Sequence, residues 1–194
     1  QVVRDAPRPQ TVALCPPDFE GIKPRLLVNE GDEVQIGTPL FQDKTHEKIL
    51  FVSPGAGKVK SIIRGERRKI LEIQIELAEE ESWEEDSALG SDGLKALNRE
   101  ELVEILLKSG LWPLFRQHPF GRIAEPKDLP RAIFVSALET EPAQPDPRVF
   151  LYGQDSTFHL GLDLLKKLSA GKVHLCVGAN PVSYTHLRAH ETQR

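Results

Sequence analysis

The sequence predicts an α+β chain built as two domains, an all-β unit over residues 1–77 and an α/β unit over residues 98–180. Three observations carry this. Between Thr11 and Leu77, short apolar runs recur with a turn signal about every eight to twelve residues, the spacing of a small sandwich or barrel. From Ala132 onward the pattern changes to apolar strand, amphipathic helix, apolar strand, which predicts a parallel, right-handed βαβ unit. Between the two lies an acidic stretch, residues 78–97, in which Glu79–Asp86 holds six acids and no base, the composition of a solvated linker.

Each element has its own signal. "TVALC" is a short strand stopped by Pro16 and Pro17, and "RLLV", "EVQIG" and "PLFQD" follow as further short strands. Gly31 and Gly37 fall between them, where positive φ keeps a connection tight. "KILFV" is another β-rich run. "GKVKSII" sets Val59, Ser61 and Ile63 against Lys58, Lys60 and Ile62. The turn "RGERR" leads into "KILEIQIEL", where Leu71, Ile73, Ile75 and Leu77 share one face and Ile70, Glu72, Gln74 and Glu76 the other. In the second half a helix opens at Asn98, with Glu101 completing a capping box, Leu102, Ile105 and Leu106 on one face, and Gly110 as its stop. "LWPLFRQHPFGRI" is aromatic and basic, and Pro119 bars one regular helix. "RAIFVSAL" is a continuous apolar run of the kind buried on both faces. "DSTFHLGLDLLKKLSAG" carries a stripe of Phe158, Leu162, Leu165 and Leu168 and ends at Gly171, and "KVHLCV" is the second strand.

The bulk numbers exclude several classes. The chain has 194 residues, 39% hydrophobic and 28% charged, as globular proteins do. A net charge of −4 argues against an electrostatic grip on nucleic acid. No run reaches the roughly 18–20 apolar residues of a membrane-spanning helix. Cys15 and Cys176 make no disulfide framework and read as buried thiols in a reducing compartment. There is no methionine and the chain starts in mid-pattern, so a fragment is expected, with the α/β unit truncated. Residues 181–194 show no apolar period and read as a cloning or read-through tail. In that tail "HLRAHE" spaces His186 and His190 as zinc ligands, but Glu191 follows the second histidine where a zinc protease helix has it after the first, so no metal site is assigned.

The glycine-paced stretch admits three readings. "PGAGK" fails as a phosphate loop: Gly55 and Gly57 are too close together, Val59 replaces the magnesium-binding hydroxyl, and a strand follows. The order Val28, Glu30, Gly31, Asp32, Val34, Gly37, Leu40, then Ser53, Pro54, Gly57 and Val59, resembles the biotinyl/lipoyl family, whose fold is the barrel-sandwich hybrid. That family carries its prosthetic group on a lysine at a hairpin tip. The lysines here, Lys44 and Lys48, sit nearer the flanking strands and read as edge charges, so a modified-lysine carrier is the alternative reading. The third reading is a bare barrel that serves for docking.

Longer segments favour the third. "TVALCPPDFEGIKPRLLVNEGDEVQIGTPLFQDK", "FVSPGAGKVKSIIRGERRKILEIQIE", "LLKSGLWPLFRQHPFGRIAEP", "RAIFVSALETEPAQPDP" and "GLDLLKKLSAGKVHLCV" occur in that order. From about Thr11 to Val177 they resemble the N-terminal part of the NqrA subunit of the sodium-translocating NADH:quinone reductases. The corresponding subunit of the related Rnf complexes would need cysteine clusters for iron–sulfur centres, which this chain lacks. The resemblance implies a truncated Rossmann-like α/β domain after the barrel. It also implies a peripheral subunit on the cytoplasmic face of a bacterial inner membrane, partnered by the other subunits of a respiratory complex. The complex oxidises NADH, reduces ubiquinone and exports sodium. Its flavins and iron centres belong to sister subunits, so no cofactor is expected on this chain. After "AIFVSAL" comes "ETEPAQPDP" in place of a Gly-rich fingerprint, so NADH binding is not assigned either. The resemblance makes Arg116, His118, Phe120 and Arg122 the quinone-contact candidates, against a purely structural role for the cluster, with Trp112 and Phe115 as core. The basic run Lys58, Lys60, Arg64, Arg67, Arg68 and Lys69 reads either as a docking surface, carried by Lys60, Arg64, Arg67 and Arg68, or as ordinary strand-edge solvation.

Overall fold

The structure, a computed structural model, describes residues 6–84, 90–138 and 146–177. The tail with His186, His190 and Glu191, and most of the "ETEPAQPDP" segment, lie outside the described residues. The chain forms two compact units. One gathers residues up to 84 together with 103–128; the other gathers residues 90–102 with those from 129 onward.

The first unit is the expected two-sheet β structure. One sheet contains β1 (Thr11–Leu14), β3 (Glu33–Val34), β6 (Gly57–Arg64) and β7 (Ile70–Leu77), in the order β1-β7-β6-β3. The other contains β2 (Pro24–Leu26), β4 (Pro39–Asp43) and β5 (Leu50–Val52), in the order β2-β4-β5. All these pairings are antiparallel. Leu40, Phe41 and Phe51 from one sheet and Val59, Ile73 and Ile75 from the other are fully buried and make the core. Phe41 and Phe51 stack at 4.4 Å between ring centroids, and Phe19 meets Phe51 edge-on at 4.6 Å. Gly31 and Gly37 take φ of 93° and 98°, as their turns require.

Strict alternation fails in β6 and β7, and bulges are the reason. Val59 pairs with Ile75, but Ser61 then pairs with Gln74, so Lys60 is an extra residue and the face inverts beyond it. Ile62 therefore pairs with Ile73, and Ile63, expected on the face of Val59, is exposed. A second shift, between Ile63 and Arg64, buries Ile70 on the side where Glu72 and Gln74 were expected. In β4 the shift lies between Pro39 and Phe41, and this buries both Leu40 and Phe41. Within the acidic stretch, Ile36 N–H donates to Ser82 O at 2.9 Å and Glu84 N–H to Ile36 O at 2.9 Å, so residues 82–84 pair with the barrel.

The second unit opens with α1 (Ser91–Ala96) and the start of α2 (Arg99–Lys108). Asn98 Oδ1 accepts from Glu101 N–H at 2.9 Å and Glu101 Oε2 accepts from Asn98 N–H at 2.8 Å, the reciprocal capping box the sequence predicts. A short helix α3 (Pro147–Leu151) precedes α4 (Asp155–Leu168). β10 (Ala132–Ala137) and β11 (Lys172–Val177) pair in parallel, Ala132 opposite Lys172 through Ala137 opposite Val177. The βαβ unit is thus present. Its first strand is not buried on both faces, however. Phe134 is 67% exposed and stacks on the His174 ring at 4.8 Å. The face of Ile133, Val135 and Ala137 is the better buried, and the face of Phe134 and Ser136 is open. At the other end of α4, Lys167 Nζ donates to the carbonyls of Lys95 and Leu97, tying α1 to α4.

Candidate functional site

The aromatic and basic cluster is a small hairpin, and the chain builds it residue by residue. Gly110 ends α2 with φ of 69°; its N–H donates to Leu107 O at 3.3 Å and Leu111 N–H to Leu106 O at 3.1 Å, a Schellman closure. A tight turn, Trp112–Leu114, follows. Trp112 is buried, and its Nε1–H donates to Ala124 O at 2.7 Å, while Ala124 N–H donates to Phe115 O at 2.9 Å. These bonds close β8 (Arg116–Gln117) against β9 (Arg122–Ile123), Arg116 opposite Ile123 and Gln117 opposite Arg122. The turn between them contains a cis His118–Pro119 bond, and Gly121 N–H donates to Gln117 O at 3.0 Å.

All four quinone-contact candidates stand on this hairpin and all are exposed. Phe120 is 72% exposed at the tip, with the Arg122 guanidinium 5.9 Å from its ring centroid. Arg116 lies 5.6 Å over the Phe19 ring and its Nη1 donates to Gly121 O at 3.4 Å. Phe19 was not a sequence candidate; it stands in "PPDFEGIKP", where nothing marks a partner for a residue so far along the chain. Trp112 and Phe115 form the inner, structural half, their rings 5.2 Å apart. The arrangement offers a flat ring and two guanidiniums to whatever approaches from solvent.

The second candidate is the connection from β6 to β7. Lys60, Arg64, Arg67, Arg68 and Lys69 are all exposed, with Glu66 the one acid of the turn. Lys69 N–H donates to Glu66 O at 3.1 Å and Gly65 N–H to Lys69 O at 2.8 Å. Arg67 and Arg68 take φ of 53° and 60°, so both central residues of the turn are left-handed, as in a type I′ turn. Beneath Arg64 a depression of about 450 Å³ is lined by residues 26–30 and Ile62, whose N–H donates to Glu30 Oε1 at 2.7 Å. A larger depression, about 640 Å³, lies between residues 33–38, 56–58 and 76–84.

Lys44 and Lys48 occupy the connection between β4 and β5 and are exposed. Lys48 lies in the turn itself, not at the entry to β5 as its sequence position predicts. The turn is tethered at both ends. Asp43, buried, accepts from Lys23 N–H at 3.0 Å and Thr45 N–H at 3.1 Å. His46 Nδ1 lies 3.3 Å from Glu125 Oε1, and Arg25 Nη1 3.3 Å from Glu47 Oε1. Burial, with Asp18 and then Glu72 nearby, pushes the Cys15 thiol above its ordinary range and keeps it protonated. Among the described residues, no group of three or more His, Cys, Asp or Glu side chains is placed to hold a metal ion.

Comparison with known proteins places this geometry. The NqrA N-terminal barrel-sandwich hybrid domain matches residues 1–78, and the NqrA second alpha/beta domain matches residues 97–192. The chain belongs to the NqrA family. Its first unit is therefore a barrel-sandwich hybrid and its second an α/β domain of NqrA type. Curated relatives are named as the NqrA subunit of Na(+)-translocating NADH-quinone reductase. That of Marinomonas sp. (strain MWYL1) is 42% identical over 176 residues, covering 91% of this chain and 39% of the relative. That of Yersinia pestis is 37% identical over 192 residues, covering 99% and 43%. That of Rhodopirellula baltica is 37% identical over 178 residues, covering 91% and 39%. The chain thus spans about two fifths of the length of these curated relatives. NqrA membership does not favour the modified-lysine alternative. Among the described residues of this NqrA chain, no helix is long and apolar enough to cross a membrane.

Proposed function

We propose that this chain serves as the N-terminal part of the NqrA subunit in a sodium-translocating NADH:quinone reductase, the respiratory complex that couples NADH oxidation and ubiquinone reduction to sodium export. It is a peripheral subunit on the cytoplasmic face of the bacterial inner membrane. It docks the other subunits and carries no redox group; NADH, flavins and iron centres are handled by its partners, and the isolated chain is inactive. The observation that carries this reading is the two-domain match to NqrA, together with 37–42% identity to proteins of that name.

The hairpin at 116–123 borders the quinone site in this reading. Phe120 supplies a ring face on which a quinone head stacks, and Arg122 or Arg116 donates a hydrogen bond to a carbonyl oxygen, which strengthens as negative charge grows there on reduction. His118 stands beside them. The exposed Phe120–Arg122 pair supports this assignment. The test has two arms. The chain should capture the remaining pump subunits in a pull-down, and failure to capture any of them overturns the docking role. In the whole complex, Phe120→Ala and Arg116→Ala should weaken binding of a quinone-site inhibitor roughly 10-fold or more, about the loss of one good aromatic or charge-assisted contact. Unchanged inhibitor affinity in both variants makes the hairpin structural.

A further inference from the structure

The connection between β6 and β7 has three properties that do not follow from folding the barrel. It concentrates charge: Lys60, Arg64, Arg67, Arg68 and Lys69 are exposed within ten residues of a chain whose net charge is −4. Among the described residues these five side chains enter no ion pair. And the turn is strained. Arg67 and Arg68 both hold a left-handed backbone, at φ of 53° and 60°, where Asn-Gly forms the same turn at little cost and a longer side chain pays a steric penalty at each position. Stability alone does not select two arginines there.

From this the geometry points to the β6–β7 tip as an electrostatic anchor on the phosphate-bearing headgroups of an anionic lipid surface. The composition of the tip distinguishes a lipid surface from an acidic protein. Specific protein interfaces have a desolvated centre from which charge is depleted and in which apolar and aromatic side chains are enriched. The tip has none: residues 64–69 are Arg, Gly, Glu, Arg, Arg and Lys. A headgroup layer requires no such centre. It attracts juxtaposed cations additively, within a Debye length of the surface. The same charge separation, basic at this turn and acidic along residues 79–84, orients the barrel with the turn toward a negative plane. The inference does not depend on the quinone-site assignment, and its test does not use the other subunits.

The experiment is sedimentation of the 194-residue chain with vesicles of phosphatidylglycerol and phosphatidylcholine, against vesicles of phosphatidylcholine alone. Binding should require the anionic lipid and disappear near about 1 M salt, where the Debye length is roughly 3 Å. The double variant Arg67→Asn with Arg68→Gly is the decisive one. It should lose partitioning roughly 30-fold for two cations removed, while its melting temperature rises by roughly 4–8 °C as the turn strain is relieved. A residue pair of structural use alone cannot give opposite signs. Arg67→Lys with Arg68→Lys should partition as the parent does. Equal binding to neutral vesicles, or unchanged partitioning of the Asn-Gly variant, overturns the proposal. So does absent vesicle binding accompanied by weaker capture of the sister subunits by that variant, which would make an acidic protein the ligand and leave the docking function standing. Failure to capture the sister subunits with vesicle binding intact sinks the docking function and leaves this inference.

Discussion

Gly110 shows how one residue can fix the position of a candidate site. It ends α2 in a left-handed conformation, and a Cβ built there would lie 2.5 Å from both methyl carbons of Val52 in β5. The same backbone then turns directly into Trp112, whose indole N–H holds Ala124 and so the base of the exposed hairpin. Gly110→Ala therefore suffers twice, from positive φ and from overpacking against a strand that cannot retreat without disturbing Phe51. The expected cost is about 2–4 kcal/mol, read as a lower urea midpoint with unchanged slope. A cost below about 0.5 kcal/mol would mean that α2 does not lie on β5 as described. The sequence identified Gly110 as a helix stop, because the stop is a local property. It did not reveal the Val52 contact, because nothing local to either residue encodes a distance across 58 intervening positions.

At the scale of elements the same division holds. The capping box at Asn98, the antiparallel strands and the parallel βαβ pairing were legible, since each has a short-range signature in residue type or period. Asn98→Ala should cost about 1 kcal/mol, seen as a lower thermal midpoint with a loss of helical circular dichroism near the start of α2. Restoring an N-cap oxygen with Asn98→Ser should recover most of it; recovery by neither Ser nor Asp would assign the loss to something other than the cap. What was not legible were the bulges. Lys60 reads as one more polar position in an alternating strand, and the inversion that exposes Ile63 and pairs Ile62 with Ile73 appears only once β7 supplies the register. The one-sided burial of β10 was hidden for a related reason. An apolar run states that a strand can be covered on both faces, while the covering is done by other elements. For the candidate site, sequence reading found the hairpin residues and separated Trp112 from Phe120 in role, but the partners Phe19 and Gly121 come from the fold.

At the scale of the whole molecule, two divisions of the chain coexist. Periodicity opens the second domain at residue 98, and the two NqrA family matches divide the chain at 78 and 97. Compactness instead places residues 103–128 with the barrel, because Val103, Leu107, Trp112 and Pro113 bury their side chains in that unit and Glu125 lies against His46 of the β4–β5 turn. The two divisions predict different folding behaviour. If the barrel is complete by Ala78, a fragment of residues 1–84 should melt at the temperature of a fragment of residues 1–128. If residues 103–128 are part of its core, the shorter fragment leaves the Val52 side of β5 bare and forgoes burial of four large side chains. At about 1.5–3 kcal/mol for each buried apolar side chain, set against the ordering of some 25 residues, the net loss should be several kcal/mol. We expect the second outcome: the longer fragment should unfold in one transition, with Trp112 fluorescence and the far-ultraviolet signal of the strands moving together. Separate midpoints for the two probes, or equal stability of the two fragments, would return the boundary to residue 98 and make the hairpin an appendage whose candidate residues move independently of the barrel.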